Sequence, residues 1–397
     1  MFEALSDPVN DPILQLGVAF RQDTNASKAD LGIGVFKDEL GHTPIMRAVY
    51  EAEVLQTTAR ESKAYLTFAG DEAFNSLVLK LALGDDFPID ERARAIQTPG
   101  GGGAVRLLCE TVKLAKPSSR IWISNPTWVN HVPIASYVGL EVERYRYLGS
   151  DQQVDFAAMM EDLGSAKDGD VVLLHGCCHN PTGADMTLSQ WKELTEFVRT
   201  RNLVPFIDLA YQGFGAGVDE DAAGLRYLAN ACPEILLSVS CSKNFGIYRD
   251  RVGIAAVIAE SSSTADKARG NLLSLARVNY SFPPHHGAAL VRRILSTSDL
   301  ALGWRDELTE MRQRVQRNRR RLSQMLREVT QDSRFDFVED HKGMFSLLGF
   351  TGEQVKTLRQ KHSVYIPPDS RLNMASLYDS NIEYVARAIG IVALGEK

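Results

Sequence analysis

The chain has 397 residues, more than one compact hydrophobic core normally accommodates, and this length predicts two domains. Its composition, with 44% hydrophobic and 24% charged residues, is ordinary for a folded soluble protein and argues against extensive disorder. The net charge of −6 gives no reason to expect nucleic acid or an acidic membrane surface as a partner.

The cysteine count and the lack of long apolar runs bear on the compartment. Five cysteines, an odd number in a long chain, fit a reducing environment better than a disulfide framework. No apolar run approaches the length of a membrane span, and the N-terminus lacks the basic and apolar regions of a signal peptide. We therefore expect a cytoplasmic protein with no membrane partner.

Two predictions concern the N-terminal part. Residues 1–11 are expected to form an extended arm of the kind that lies on a partner subunit, although loosely ordered termini are more common. The apolar run over 31–36 is predicted to be a strand with glycines at alternate positions. Those glycines indicate either a group that approaches the backbone closely, or a bulge and tight packing.

A glycine-rich segment over 97–106 contains four consecutive glycines directly before an apolar helical pattern. Successive backbone amides at the positive end of a helix form a cradle for phosphate. The spacing differs from the dinucleotide fingerprint, and no acidic residue follows at the required distance. A flexible linker is the alternative, but the flanking segments are regular, so a phosphate site is predicted here.

Strand-like and helical segments alternate from residue 120 onward. The predicted strands cover 120–124, 141–145, 171–175, 203–208, 235–238 and 252–257, with helical segments such as 188–201 between them. This alternation predicts an α/β fold with a mostly parallel sheet covered by helices on both faces. Ligands of such sheets bind beyond the carboxyl ends of the strands, so the residues just past those ends are candidates for chemistry.

The C-terminal part has a different pattern. A long basic helix is predicted over 308–329, where an apolar stripe runs between many arginines. Because of the stripe, we interpret the arginines as the solvated face of a helix that joins two domains, and not as a surface that binds nucleic acid. From residue 335 onward the pattern predicts a small α+β domain.

Lys243 follows the predicted strand over 235–238 and lies among small hydroxyl residues. A lysine amine held at a strand end near an arginine can bond to the aldehyde carbon of a cofactor that carries a phosphate. Ser240, Ser242 and Arg251 are the candidates for holding that phosphate. Taken alone, this stretch is equally compatible with a surface turn.

Asp208 ends an apolar strand, so we expect it to be buried and to need a cationic partner. A pyridinium nitrogen is such a partner, and a protonated ring is an electron sink for a developing carbanion. Tyr211 and Asn180 are predicted to bond the ring oxygen. Trp128 is predicted to stack on the ring, and His131 to donate to Asp208.

Several motifs at these positions carry a resemblance to a known family. They are Thr-Pro-Gly-Gly (98–101), Ser-Asn-Pro-Thr-Trp (124–128), His-Gly-Cys-Cys-His-Asn-Pro-Thr-Gly (175–183), Asp-Leu-Ala-Tyr-Gln-Gly-Phe (208–214), Ser-Cys-Ser-Lys-Asn-Phe-Gly (240–246), Asn-Tyr-Ser with Pro-Pro (279–284) and Gly-Met-Phe-Ser (343–346). Over its whole length the chain resembles the fold type I aminotransferases that depend on pyridoxal phosphate, in the aspartate and aromatic amino acid subgroup.

The resemblance implies a domain plan and a quaternary structure. A large cofactor-binding domain would cover 44–310, a small α+β domain would combine 12–43 with 311–397, and the arm would cover 1–11. The family also implies a homodimer whose active sites are shared across the interface, with amino acids and 2-oxo acids as substrates.

The resemblance assigns roles by position. Lys243, Asp208 and Tyr211 would be catalytic, and no metal is implied. The cofactor would be held by those three together with Gly101, Gly102, Trp128, Asn180, Ser240, Arg251 and, across the interface, Tyr65. The substrate would be held by Gly34, Trp128, Asn180, Arg371 and, across the interface, Arg277. Two parallel bonds from the guanidinium of Arg371 to the α-carboxylate would fix the Cα–H bond for proton removal by Lys243.

Three positions depart from the family pattern. Gly102 stands where many relatives have threonine or serine, which removes a hydroxyl donor to the phosphate and predicts weaker cofactor retention. Phe282 replaces a small polar residue beside the substrate entrance, and 367–370 reads Pro-Pro-Asp-Ser where Ala-Ser-Gly is frequent. The last two argue against strict aspartate specificity, whereas Lys37 and Thr43 resemble the aspartate form.

The predicted activity is ping-pong transamination, in which aromatic L-amino acids and aspartate or glutamate donate the amino group to 2-oxoglutarate. Arg277 would bind a distal carboxylate without excluding aromatic substrates. A strict aspartate aminotransferase is one alternative. A decarboxylase or β-lyase with the same cofactor is another, against which the pair Arg277 and Arg371 argues.

Two further alternatives are of a different kind. The run His-Gly-Cys-Cys-His over 175–179 suggests a metal site, but adjacent cysteines on a strand would point to opposite faces and lack the spacing of zinc knuckles. A non-catalytic binding protein is disfavoured because the lysine, the aspartate, the tyrosine and both arginines are all present.

Overall fold

The structure is a computed structural model that describes residues 1–5 and 12–395, with residues 12–14 described by their backbone alone. From residue 6 onward the predicted N-terminal arm lies outside the described residues, and Phe2–Ala4 forms one 3-10 turn. The chain divides into two compact units, Met1–Thr43 with Arg314–Lys397, and Pro44–Gln313.

The strands are β1 (Ala29–Asp30), β2 (Ala93–Pro99), β3 (Arg120–Asn125), β4 (Glu141–Arg146), β5 (Val171–His175), β6 (Val204–Leu209), β7 (Ile235–Ser240), β8 (Val252–Ile258), β9 (Phe345–Leu347), β10 (Val364–Tyr365) and β11 (Arg371–Asn373).

The helices are α1 (Pro12–Gln22), α2 (Arg47–Ala59), α3 (Glu72–Leu83), α4 (Ile89–Arg92), α5 (Gly100–Ala115), α6 (His131–Val138), α7 (Phe156–Leu163), α8 (Leu188–Thr200), α9 (Ala223–Ala231), α10 (Ser262–Asn279), α11 (His285–Ser296), α12 (Ser298–Thr330), α13 (Phe337–Asp340), α14 (Gly352–His362) and α15 (Asp379–Leu394).

The larger unit, Pro44–Gln313, is built on a seven-stranded sheet in the order β2-β8-β7-β6-β5-β3-β4. Strand β8 runs antiparallel to both of its neighbours, whereas the pairs from β7 to β4 are parallel. The predicted α/β class, with a mostly parallel sheet flanked by helices, is confirmed.

Burial explains why these segments read as nearly continuous apolar runs in the sequence. Strands β5, β7 and β8 are buried at every residue, as expected when helices cover both faces of a sheet. On one face, Val105 and Leu108 of α5 pack with Leu272 and Ala276 of α10 into the main apolar cluster. This cluster fixes the start of α5 at the sheet.

The smaller unit contains two short sheets. Strand β1 pairs in parallel with β10, and β9 pairs antiparallel with β11. Helix α14 begins with a capping box in which Thr351 and Gln354 satisfy each other's backbone amides. The unit therefore has the mixed α+β character that the C-terminal pattern predicts.

The prediction of a strand over 31–36 is wrong. The side-chain amide of Asn373 donates to the carbonyl oxygens of Ile33 (2.6 Å) and Val35 (2.9 Å), and the amide of Val35 donates to the carbonyl of Ile33. A side chain and a tight turn therefore satisfy backbone groups that would otherwise enter a ladder. Leu31 and Phe36 are buried whereas Ile33 between them is exposed, so the apolar pattern reflects burial at the two ends of the segment and not extended pairing.

The predicted basic helix over 308–329 lies within α12, which begins ten residues earlier at Ser298. Its first turns are held by Leu300, Trp304 and Leu308, which are buried at a spacing of four residues. The indole of Trp304 donates to the carbonyl of Asn244 (2.7 Å) and stacks on Phe245. No helix in the described part of the chain combines the length and hydrophobicity that a transmembrane segment needs.

Candidate active site

The candidate site lies in the larger unit, at the carboxyl ends of β5, β6 and β7. The sheet register places His175 beside Asp208, and Asp208 beside Ser238. A cavity of about 160 Å³ opens there. Its lining includes ten of the predicted site residues, namely Gly101, Gly102, Trp128, Asn180, Asp208, Tyr211, Ser240, Ser242, Lys243 and Arg251.

Lys243 lies in the turn that leaves β7 and leads into β8. The turn is closed at its base by the amide of Cys241, which donates to the carbonyl of Val252 at 3.0 Å. The Nζ atom of Lys243 lies 4.7 Å from the centre of the Tyr211 ring, so an amine and a phenol face the same cavity.

Asp208 is buried, and each of its carboxylate oxygens has a partner. The hydroxyl of Ser238 donates to Oδ1 at 2.6 Å, and Nε2 of His131 lies 3.1 Å from Oδ2. The other ring nitrogen of His131 is 2.7 Å from the hydroxyl of Thr127, which fixes the orientation of the imidazole. Burial acts to raise the pKa of Asp208, but the bond from His131 and the other neighbours outweigh it and hold the pKa below its usual value.

Two further histidines stand behind Asp208. The ring of His175 lies 5.1 Å from that of His131 and 4.1 Å from that of His179, centre to centre. Burial is the largest of the effects that lower the pKa of His175 to about 3, and burial also holds the pKa of His179 well below its usual value. Both imidazoles are therefore neutral near pH 7 and leave the negative charge of Asp208 in place.

The glycine-rich helix start forms one end of the cavity. Gly100 has a positive φ of 73°, and a Cβ there would lie 2.6 Å from Nη2 of Arg251. A Cβ at Gly101 would lie 3.0 Å from the Cβ of Ser240. The guanidinium of Arg251 donates to the hydroxyl of Ser242 at 3.3 Å. Helix amides, hydroxyls and a cation thus meet at one place, which suits a phosphate.

The middle of the cavity is aromatic and polar. The side-chain amide of Asn180 donates to the hydroxyl of Tyr211 at 3.4 Å, so both polar groups point to one position. Trp128 meets His131 edge to face with ring centres 5.2 Å apart, and its far edge lies 3.6 Å from where a Cβ of Gly102 would stand. A flat ring is thereby presented between the glycine-rich end and Asp208.

Two predicted substrate residues, Gly34 and Arg371, belong to the smaller unit. Arg371 is buried on β11, donates to the carbonyl of Gly32 at 2.9 Å, and lies with its guanidinium carbon 4.3 Å from the centre of the Phe345 ring. A Cβ on Gly34 would lie 2.8 Å from Cζ of Phe345, so the same ring excludes a side chain there.

The last two predicted residues, Tyr65 and Arg277, do not line the cavity. Tyr65 is 81% exposed and stacks on Phe282 with ring centres 4.5 Å apart. Arg277 is exposed in the last turn of α10. Both side chains are exposed at the surface of the larger unit.

The sequence pattern missed the roles of Ser238, Asn130 and His175 at this site. Ser238 precedes Ser240 by two residues on β7, so the period of a strand was the available signal. Asn130 lines the cavity from the exposed turn before α6, and nothing in its sequence context marks it. His175 ends β5 just as Asp208 lies near the end of β6, a parallel that the register makes visible.

The run over 175–179 does not form one ligand cluster in the described residues. His175 groups with His131 and Asp208, while the two cysteines of the run, Cys177 and Cys178, group with Asp221. They lie in a bend after β5 and not on a strand, and Cys178 has a positive φ of 51°. The expectation that the two cysteines lie on a strand and point to opposite faces is therefore wrong. The five residues of the run nevertheless do not come together around one point.

Comparison with known proteins now identifies the class. The family model "Aminotransferase class I and II" matches residues 26–389, and the chain belongs to this family. The predicted family membership and the predicted transaminase class are therefore confirmed.

Individual relatives indicate the subgroup of the family. The chain is 45% identical to the aromatic-amino-acid aminotransferase of Paracoccus denitrificans, over 98% of this chain and 99% of that protein. It is 42% identical to the aspartate aminotransferase of Haemophilus influenzae with the same coverage. A crystal structure of the aromatic-amino-acid aminotransferase of Burkholderia pseudomallei, covalently bound to pyridoxal phosphate, superposes with a TM-score of 0.96 at 38% identity, covering 99% of both chains.

Proposed function

We propose that the protein transfers the amino group of aromatic L-amino acids and of aspartate or glutamate to 2-oxoglutarate, with pyridoxal 5'-phosphate as cofactor. The observation that carries the proposal is a single cavity that combines Lys243, Asp208 and a glycine-rich helix start. The relatives named for aromatic amino acids and for aspartate support both substrate classes.

The chemistry of the lining fits this cofactor. A phosphorylated pyridine aldehyde needs an anion site, a flat face, a partner for its ring oxygen and a carboxylate for its ring nitrogen. Arg251 and the helix start provide the first, and Trp128 the second. Tyr211 with Asn180 provides the third, and Asp208 provides the fourth because its charge is retained near pH 7. Ser240, Gly101 and Gly102 complete the phosphate end.

When bound, pyridoxal phosphate supplies an aldehyde that takes up the amino group and a ring that withdraws electrons from the substrate Cα. The residues of this chain bind, orient and move protons around that chemistry. Lys243 Nζ takes the proton from the substrate Cα and holds it beside the Tyr211 phenol. Asp208 keeps a fixed negative charge, and His131 and Ser238 prevent its carboxylate from turning.

Substrate recognition is assigned to Arg371 and Gly34 and, across the interface of a homodimer, to Arg277. Arg371 binds the α-carboxylate through two parallel bonds, with Gly34 at the border of the substrate. In a homodimer with shared sites, Tyr65 and Arg277 serve the neighbouring subunit, which agrees with their exposure at the surface of the larger unit. The division into Pro44–Gln313 and Met1–Thr43 with Arg314–Lys397 supports the proposal of a cofactor-binding domain over 44–310 and a small domain over 12–43 with 311–397.

A reducing cytoplasmic compartment is part of the proposal. None of the five cysteines of the sequence forms a disulfide, and each is buried. This pattern is the one expected where disulfides do not form.

A visible spectrum of the purified protein tests cofactor and substrates together. A cofactor band should be present, and it should shift when phenylalanine is added and again in a separate sample when aspartate is added. Formation of the corresponding 2-oxo acids should accompany each shift. Turnover of aspartate without measurable turnover of phenylalanine or tyrosine would leave a strict aspartate aminotransferase, and the lack of a keto-acid product would contradict transamination itself.

A further inference from the structure

The loop that follows β6 and carries Tyr211 is closed around a carboxylate that has no part in the proposed roles. Asp221 is buried, and its Oδ2 accepts from the amides of Gly213 (2.8 Å) and Gly215 (2.8 Å). Its Oδ1 accepts from the amides of Ala216 (2.7 Å) and Gly217 (3.5 Å). Burial raises the pKa of this carboxyl, and the bonds from the amides act against that rise. Both oxygens serve as acceptors, which is the arrangement of an ionised carboxylate.

Asp221 is itself held in place from the other side. It lies in a 3-10 helix over Glu220–Ala222, and its amide donates to the carbonyl of Gly217 at 3.0 Å. Helix α9 begins directly after this turn, and its Leu225 and Leu228 are fully buried. The carboxylate is therefore a fixed point to which the loop is attached.

Tyr211 stands at the start of the loop, and its backbone carbonyl accepts twice. The amide of Phe214 donates to it at 3.0 Å, and the thiol of Cys178 donates to it at 3.9 Å. Cys178 belongs to the bend that leads to Asn180, whose side-chain amide donates to the Tyr211 hydroxyl at 3.4 Å. A shift of the loop therefore moves the phenol relative to Asn180 and to the amine of Lys243.

The small residues of the loop allow this arrangement. A Cβ on Gly215 would lie 2.5 Å from Oδ1 of Asp221, so a side chain there would force the loop away from the carboxylate. Gly213 has a positive φ of 98°, which glycine adopts without strain. Successive amides over 213–217 can therefore point to one acceptor.

This inference rests on the proposed function, in which Tyr211 bonds the ring oxygen of the cofactor. We propose that Asp221 is a positioning residue, which holds the Tyr211 phenol beside the cofactor by fixing the loop over 213–217. Asp221 is not part of the cavity lining, so it acts through Tyr211. A phenol that donates to the ring oxygen stabilises the anionic form of that oxygen. When the phenol moves away, the bound cofactor therefore loses its proton at a higher pH.

The pH titration of the cofactor absorption band measures this effect directly. Asp221→Asn keeps the shape of the side chain but turns one acceptor into a donor that faces two amides. In the holoenzyme of this variant, the apparent pKa of the band should rise by about one unit, the value of one hydrogen bond to a charged oxygen. Gly215→Ala leaves the carboxylate in place, displaces the loop, and should shift the band in the same direction.

A double-mutant comparison separates positioning of the phenol from a general loosening of the fold. In a Tyr211→Phe background the phenol is missing, so adding Asp221→Asn should cause no further shift of the band. An equal shift with and without the phenol would overturn the inference.

Hydrogen exchange of the purified protein tests the attachment of the loop without reference to the cofactor. The amides of residues 213, 215 and 216 should exchange about fivefold faster in Asp221→Asn than in wild type, as expected when a bond to their acceptor is lost. Unchanged exchange in this variant would also overturn the inference.

The matched control is Asp170, which lies at the amino end of β5, away from the cavity. Its carboxylate is also buried, and it accepts from the amides of Arg120 (3.1 Å) and Lys167 (2.9 Å). Asp170→Asn disturbs comparable bonds and should leave the apparent pKa of the band at its wild-type value.

A band that titrates as in wild type in folded Asp221→Asn and Gly215→Ala would overturn the inference, and if one of these variants fails to fold the other decides. Wild-type protein that shows no cofactor band would instead refute the proposed function, while the exchange rates would still decide whether Asp221 holds the loop.

Discussion

At the scale of single residues, the site depends on how Asp208 retains its charge. A buried carboxylate without partners would be protonated or would destabilise the fold. Here a serine hydroxyl and a histidine ring nitrogen bond the two oxygens separately, so the charge is kept and the carboxylate plane is fixed. The two histidines behind Asp208 are buried as well, and burial disfavours their protonated forms.

His175 makes this effect measurable. Its pKa is lowered from 6.5 to about 3 by burial, so between those values the folded state holds fewer protons at this residue than the unfolded state. Stability therefore falls as the pH falls through that window. Between pH 7 and pH 5, wild-type protein should lose about 2 kcal/mol more of its free energy of unfolding than His175→Gln does.

Urea unfolding at the two pH values measures this difference. His286→Gln, at an exposed position, is the control and should lose stability with pH as wild type does. Equal pH dependence in wild type and in His175→Gln would show that His175 is not buried in its neutral form.

The residue scale also shows what the sequence can predict. Lys243, Asp208 and Asn180 each follow or end an apolar strand, and the rule that ligands bind at strand ends was enough to select them. Ser238 lies inside β7 and meets Asp208 only because of the register between β6 and β7. Register between strands depends on packing across the whole sheet, so no local pattern reveals that partner.

At the scale of elements, the start of α5 is the part of the site with the tightest steric limits. A Cβ at Gly101 would press on Ser240, whereas a Cβ at Gly102 would make only an ordinary contact with Trp128. The two neighbouring glycines therefore differ in kind. Position 101 favours glycine because Ser240 approaches its backbone closely, whereas position 102 has room for a small side chain.

The element-scale prediction follows from that difference. Gly102→Ser should add a hydroxyl donor to the phosphate end and lower the dissociation constant of pyridoxal phosphate about fivefold, the value of one net hydrogen bond. Gly101→Ala should raise that constant, because Ser240 or the helix start has to move. Equilibrium dialysis of the cofactor measures both.

Gly102→Ala adds the Cβ without the hydroxyl and serves as the control, with an expected dissociation constant near that of wild type. If Gly102→Ser binds the cofactor no more tightly than Gly102→Ala, the missing hydroxyl is not what limits cofactor retention.

Elements were predicted well where burial on both faces produces uninterrupted apolar runs, as in β5, β7 and β8. The segment 31–36 has the same apolar character but is held by the Asn373 side chain, some 340 positions away in sequence. The pattern of apolar residues carries information about side chains and not about the partners of the backbone. It therefore could not distinguish a segment that pairs with a strand from one whose carbonyl groups are bonded by an amide side chain.

At the scale of the whole molecule, the proposal of shared active sites in a homodimer can be tested with dimers that contain two different variants. A Lys243→Ala subunit lacks the amine, and an Arg277→Ala subunit lacks the guanidinium offered to its neighbour. If sites are shared, a hybrid dimer contains one site with both defects and one intact site. Purified hybrids should therefore recover about half of the wild-type turnover of aspartate, since one of two equivalent sites is complete.

Two affinity tags, one on each subunit, isolate the hybrid, and sedimentation gives its oligomeric state. The two parent homodimers are the controls and should both be poor aspartate aminotransferases. A hybrid no more active than its parents would mean that Arg277 serves its own subunit or that the sites are not shared.

The chain-wide organisation was accessible from the sequence mainly through the family resemblance. Gly34 and Arg371 are more than 300 positions apart, yet both meet the ring of Phe345 in the smaller unit. Phe345 belongs to one of the family motifs, so the motif could be recognised, but the reason it excludes a side chain at Gly34 is visible only in three dimensions.

The turn that carries Lys243 has one more consequence. Residues 241–251 connect two adjacent strands in the middle of the sheet, and the first residue of the turn is bonded back across its base to β8. The turn that carries the lysine is thus attached to the sheet at both of its ends. Rotation about the four methylene groups of the side chain therefore lets the reactive nitrogen change position while the bond at the base of the turn stays intact.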